Sequence, residues 1–77
     1  MNNTRRKLIQ GIIDKLEDLR EDIEALKDEE QEAFDNLPEG IQASERGEAM
    51  EHAAYSLEEA YDNMDSVIDA LTEAFEQ

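Results

Sequence analysis

Residues Gly47–Glu76, GEAMEHAAYSLEEAYDNMDSVIDALTEAFE, decide the fold. From Met50 the apolar positions recur as Ala54, Leu57, Tyr61, Met64, Ile68, Leu71 and Phe75, in steps of four and three without a miss. That spacing is the heptad pattern of a helix with one apolar seam. Ala53, Ala60, Val67 and Ala74 flank the seam and are mostly small, so another helix can approach closely. The stretch holds no lysine or arginine, and carboxylates fill most of its outward positions.

Working back toward the amino terminus, Asp35 to Ala43 reads as a connector, with Pro38 and Gly40 as breakers and Asp35 and Asn36 as turn formers. Pro38 also suits the first position of a short helical turn. Helix two then runs from about Ser44 to Glu76, with Ser44 as N-cap, or starts at Glu48 if Gly47 ends that turn. Helix one is expected over about residues 4–34, capped by Thr4. Its seam is Ile9, Ile12, Leu16, Leu19, Ile23 and Leu26, broadened by Leu8 and Ile13 and weakened toward the connector by Glu30 and Ala33.

Two helices of about 30 residues, each on the order of 45 Å long, with a short connection imply an antiparallel hairpin. Arg5, Arg6 and Lys7 oppose the dipole of their own helix, as Glu73 and Glu76 oppose theirs, and a hairpin sets these misfits beside one another. A chain of 77 residues without cysteine has a thin core and no disulfide to reinforce it. Ordering its backbone costs about 1–2 kcal/mol per residue, which one shared seam does not offset. The expected architecture is therefore all-α: a single helical-hairpin domain over residues 1–77 that forms a homodimer, a four-helix bundle.

The 22 acidic residues against 7 basic ones give a net charge of −15, which argues against direct nucleic-acid binding and toward a basic protein partner. No apolar run reaches the roughly 20 residues that a membrane span needs, and no signal peptide is read at the amino terminus. The expected location is cytoplasmic.

Catalytic, metal and cofactor signals are weak. His52 and Glu48 lie one turn apart, but the Glu-x-x-His pairs of di-metal bundles are absent, and His52 reads as solvent-facing. Glu30, on the seam near the connector, reads as a register or specificity device, or as helix fraying, before it reads as a catalytic acid. Asp62-Asn-Met-Asp65 starts like a calcium loop but lacks its glycine and continues the helical seam. No nucleophile and base are spaced for catalysis, so no enzyme, no cofactor and no metal is expected.

What remains is a binding surface. Glu58, Asp62, Asp65, Asp69, Glu73 and Glu76 run along helix two in steps of three or four, about 5 Å apart along the axis. Tyr55 is expected to be exposed beside them, whereas Tyr61 lies on the seam. Such a row approximates the charge row of a nucleic-acid strand and would suit a basic cleft.

The connector and the start of helix two, Phe34-Asp-Asn-Leu-Pro-Glu-Gly-Ile-Gln-Ala-Ser-Glu-Arg-Gly-Glu-Ala-Met50, followed by acidic heptads, resemble small acidic helical proteins encoded by phages and prophages of Gram-positive bacteria. Helix one is similar as well. The resemblance implies a phage product in a bacterial host cytoplasm, where small acidic proteins often inhibit host enzymes or defence systems. It implies no site residues. The function expected is a non-enzymatic inhibitor of a host nucleic-acid-binding or defence protein, resembling DNA in its charge. The alternative is an assembly component whose seam pairs with a heterologous helix.

Overall fold

A computed structural model describes residues 1–77. It contains three helices and no strand: α1 (Asn3–Asp35), α2 (Glu39–Gln42) and α3 (Glu45–Glu76). The helices α1 and α3 lie side by side and run in opposite directions. Arg6 reaches the carbonyl of Phe75, Arg20 pairs with Asp65, and Gln42 returns to Phe34. The result is a rod of 58 × 15 × 12 Å.

Local chemistry sets each boundary. Helix α1 starts two residues earlier than a Thr4 cap would place it, because Asn2 accepts from the Arg5 N–H at 2.8 Å. Asparagine caps at least as well as threonine. The helix ends at Asp35, and Pro38 is the residue that opens α2. The Gln42 side-chain amide donates to the carbonyls of Phe34 (3.1 Å) and Asp35 (3.3 Å) in the last turn of α1, and the Phe34 carbonyl also accepts from the Leu37 N–H at 3.0 Å. Ser44 caps α3 by accepting from the Gly47 N–H at 3.5 Å, and its hydroxyl donates to the Ile41 carbonyl.

Gly47 is buried against the connector. A Cβ there would fall on the backbone of Gln42 and within 2.5 Å of the Ile41 carbonyl oxygen. Glycine is required by this close approach and not by an unusual dihedral angle, since no glycine has a positive φ.

The core is thin. Ile13, Ala54 and Ile68 are the buried apolar side chains, with the remaining inward residues half-buried. On α3 the line that meets α1 is the expected one, from Met50 and Ala54 to Leu71 and Phe75. On α1 it is rotated. The inward positions are Ile9, Ile13, Leu16, Arg20, Ile23, Lys27, Glu30 and Phe34, while Ile12 (47%), Leu19 (50%), Leu26 (53%) and Leu8 (64%) stay exposed. The stripe on α1 is wider than α3 can cover, and α3 takes the side on which Arg20 and Lys27 lay their aliphatic stems along the contact.

Substitution at two glycines separates packing from propensity. Gly47→Ala should destabilise the chain by about 1–3 kcal/mol, because the connector must move. Gly11→Ala, where nothing lies within 4 Å, should stabilise it by about 0.5–1 kcal/mol. Urea unfolding of both variants at one fixed chain concentration checks this, and equal shifts of the same sign would refute the packing role of Gly47.

Candidate functional site

The rod has two unlike sides. Because α1 and α3 run in opposite directions, rows displaced in the same rotational sense from the contact line fall on the same side. Arg20 and Lys27, one row of α1, thus meet the row of α3 that contains Glu51, Glu58 and Asp65. All ten carboxylates of α3 lie on that side or on the back of the helix. The rows Ala49, Ser56, Asn63, Ala70 and Ala53, Ala60, Val67, Ala74, on the opposite side, carry none.

Glu58, Asp62, Asp65, Asp69 and Glu76 share the acidic side, and Glu73 lies at its outer edge, within an arc of about 100° on a helix of 3.6 residues per turn. Glu58, Asp62, Asp69, Glu73 and Glu76 are exposed, and Tyr55 is 63% exposed beside them. Asp65 differs from the rest of the row. It is half-buried and accepts from the Arg20 guanidinium, so its charge is answered from α1 and the row is interrupted near its middle.

Arg20 also lies over the Tyr61 ring, 5.8 Å from its centroid, a cation–π distance. Asp65 holds the guanidinium firmly protonated: the hydrogen bond to that carboxylate raises its pKa most, against some desolvation. The Tyr61 phenol is pushed above its ordinary value, first by burial and then by the negative charges of Glu24 and Asp65, with Arg20 pulling it down. Glu24 of α1 thus belongs to the same electrostatic cluster. Helix α1 widens the acidic side through Glu24, which sequence reasoning on α3 alone missed. The available signal was the seven-residue row Glu17, Glu24, Gln31, next to Ile13, Arg20, Lys27.

A shallow groove of about 340 Å³ runs between the helices, lined by Lys27, Asp28 and Gln31 of α1 and by Glu51, Ala54, Tyr55 and Glu58 of α3. Tyr55 and Glu58 therefore stand at the rim of a concavity and not on a flat helix face. His52 is exposed with Glu48 and Glu51 nearby, and no three histidine or carboxylate side chains converge on a point that would hold a metal ion. Glu30 is half-buried between the helices.

The charges at the ends of the rod meet differently from expectation. Arg6 donates to the backbone carbonyls of Phe75 (3.2 Å) and Gln77 (2.9 Å) instead of to Glu73 or Glu76. Those carbonyls carry the negative end of the α3 dipole, so the cation is placed where the helix most favours it. No helix is long and apolar enough to cross a membrane. Comparison with protein-family models, with curated proteins and with solved structures finds no match to this chain.

The Tyr61 cluster has a pH signature. A phenol whose pKa is raised on folding binds its proton more tightly in the native state, so its contribution is complete below its unfolded value of about 10. That contribution is lost as pH rises through the higher native value. Urea unfolding at pH of about 9, 10 and 11 should show the native chain losing more stability over this range than Tyr61→Phe. Parallel losses would refute the cluster.

Proposed function

We propose that this chain is a non-enzymatic interaction protein: an antiparallel helical hairpin, with heptad seams and self-associating, that presents the acidic side of α3 to a basic, nucleic-acid-binding partner. The observation that carries the proposal is the segregation of charge. Ten carboxylates of α3 are confined to part of its circumference, its one cation, Arg46, lies off their rows, and the α1 cations beside them, Arg20 and Lys27, are drawn into the helix contact. Solubility alone asks for dispersed charge and is served by interleaved lysines.

The row has the properties a basic cleft would read. Its members are carried on a helix, so little backbone ordering is left to be done on binding, and they advance by about 5 Å per turn. A nucleic-acid strand offers a phosphate about every 3.4 Å of rise. A basic cleft shaped for phosphates would therefore be steered toward this surface at long range. Tyr55, at the rim of the groove with Glu58, supplies an amphipathic contact of the kind enriched in binding surfaces. The resemblance of the connector to phage proteins supports a bacterial host cytoplasm as the setting and inhibition of a host nucleic-acid-binding or defence protein as the outcome.

A second reading, an assembly component that pairs with a heterologous helix, is favoured by one observation, the exposed Ile12, Leu19 and Leu26 of α1. The two readings respond oppositely to salt. Capture of a partner from bacterial lysate through the acidic side should fall steeply between about 0.05 and 0.5 M salt, and helix pairing should persist. Asp62→Lys with Asp69→Lys, which leaves the Arg20–Asp65 pair in place, should weaken capture at least about tenfold. Unchanged capture by that double variant would refute the acidic surface as the binding site.

A further inference from the structure

The side of the rod opposite the α3 carboxylates is mostly apolar and uncovered, with Asp22 and Glu29 of α1 along its outer edge. From α1 it presents Ile12, Leu19 and Leu26, each about half exposed. From α3 it presents Ala60, Val67 and Ala74, in a sector without a carboxylate, whose one charge is Arg46 at its amino-terminal end. The accessible surface of the chain is 5657 Å². A folded monomer of 8.8 kDa is expected to expose about 4,800 Å². The excess, about 900 Å², is that of a 58 × 15 × 12 Å rod over a compact monomer, and pairing two rods along one long side would remove an area of the order that a standard stable interface needs, roughly 800 Å² per partner.

Charge and shape both choose the occupant. The chain carries a net charge of −15, so a second copy can approach only through a sector from which the carboxylates are missing, and α3 has one such sector. The two halves of the face are also unequal, large on α1 and mostly small on α3. Leucines pack best against small residues, not against one another across an already crowded layer. A two-fold axis parallel to the rod does this, since it lays α1 of each copy over α3 of the other. The Arg20–Asp65 pair fixes the register, and continuing it puts Leu19 level with Val67, Leu26 with Ala60 and Ile12 with Ala74.

We propose that a second copy of this chain covers this face about an axis parallel to the rod, with Leu19 and Leu26 of each copy against Val67 and Ala60 of the other. The proposal rests on the self-association stated above and locates it. Both acidic sides then point outward, one on each side of the four-helix assembly, so that one dimer offers two binding surfaces related by symmetry.

Sedimentation equilibrium of the native chain at about 50 µM should give twice the chain mass, and a mass of 8.8 kDa would overturn the proposal. Leu19→Glu with Leu26→Glu should weaken self-association at least about tenfold, and an unaffected dimer would overturn the face. Should that variant lose its helices, thiol coupling tests the native-like assembly directly. Chains carrying Leu19→Cys and chains carrying Val67→Cys, mixed and mildly oxidised, should couple to one another faster than Leu19→Cys chains couple among themselves. The reverse order would overturn the parallel axis. Capture of a basic partner through Asp62 and Asp69 is read separately, because those side chains lie across the rod from every position changed here.

Discussion

Two helices can share one line of contact and no more. Everything else in this molecule depends on where that line falls on α1. It passes through Ile9, Ile13, Leu16 and Ile23, with Arg20 and Lys27 between them, and Arg20 secures it by reaching Asp65 across the groove. Moving the line toward Ile12 and Leu19 would bury more carbon but would leave the guanidinium of Arg20 without Asp65 and Tyr61. In the observed position the apolar stripe of α1 is split, one edge turned to α3 and the other to the outside. The acidic and apolar sides of the rod follow from that single rotation.

The helices were legible in the sequence because seven-residue periodicity survives in any packing arrangement. The caps were nearly so. Ser44 takes the expected role, and Asn2 replaces Thr4 because both residues are good caps and only the local chain path decides between them. The seam of α3 was legible for the same reason as its helix: its apolar row is narrow and has charge on one flank. The seam of α1 was not. Leu8, Ile12 and Ile13 make its apolar arc broad, and hydrophobicity does not say which edge a single partner will choose. The choice is made by Arg20, which a hydrophobic pattern counts as outward and whose stem packs while its guanidinium reaches Asp65 of α3; Lys27 lies on the same line with its ammonium beside Asp28 of its own helix.

The candidate surface divides in the same way. That Asp62 and Asp69 face solvent follows from α3 alone. That Asp65 is paired with Arg20, that Glu24 joins the cluster from α1, and that Tyr55 borders a groove are facts about two helices together, and no property of either segment contains them. Gly47 is a further case. Its sequence context left open whether it lies inside the helix capped by Ser44 or ends a preceding turn; it lies inside, and lets α3 pass within contact distance of the Ile41 and Gln42 carbonyls.

That close approach also bears on how the chain finds its structure. Gly47 and Gln42 are five residues apart, and Gln42 is bonded back to Phe34 and Asp35, so the corner closes with the smallest loops in the molecule. Short closures lose the least chain entropy and are reached soonest. On these grounds folding is expected to start at the corner and zip outward along the rod, through Arg20 and Asp65 at mid-length. The last bonds expected to form are those of Met1 with Gln77 and of Arg6 with Phe75 and Gln77, which join the most distant parts of the chain.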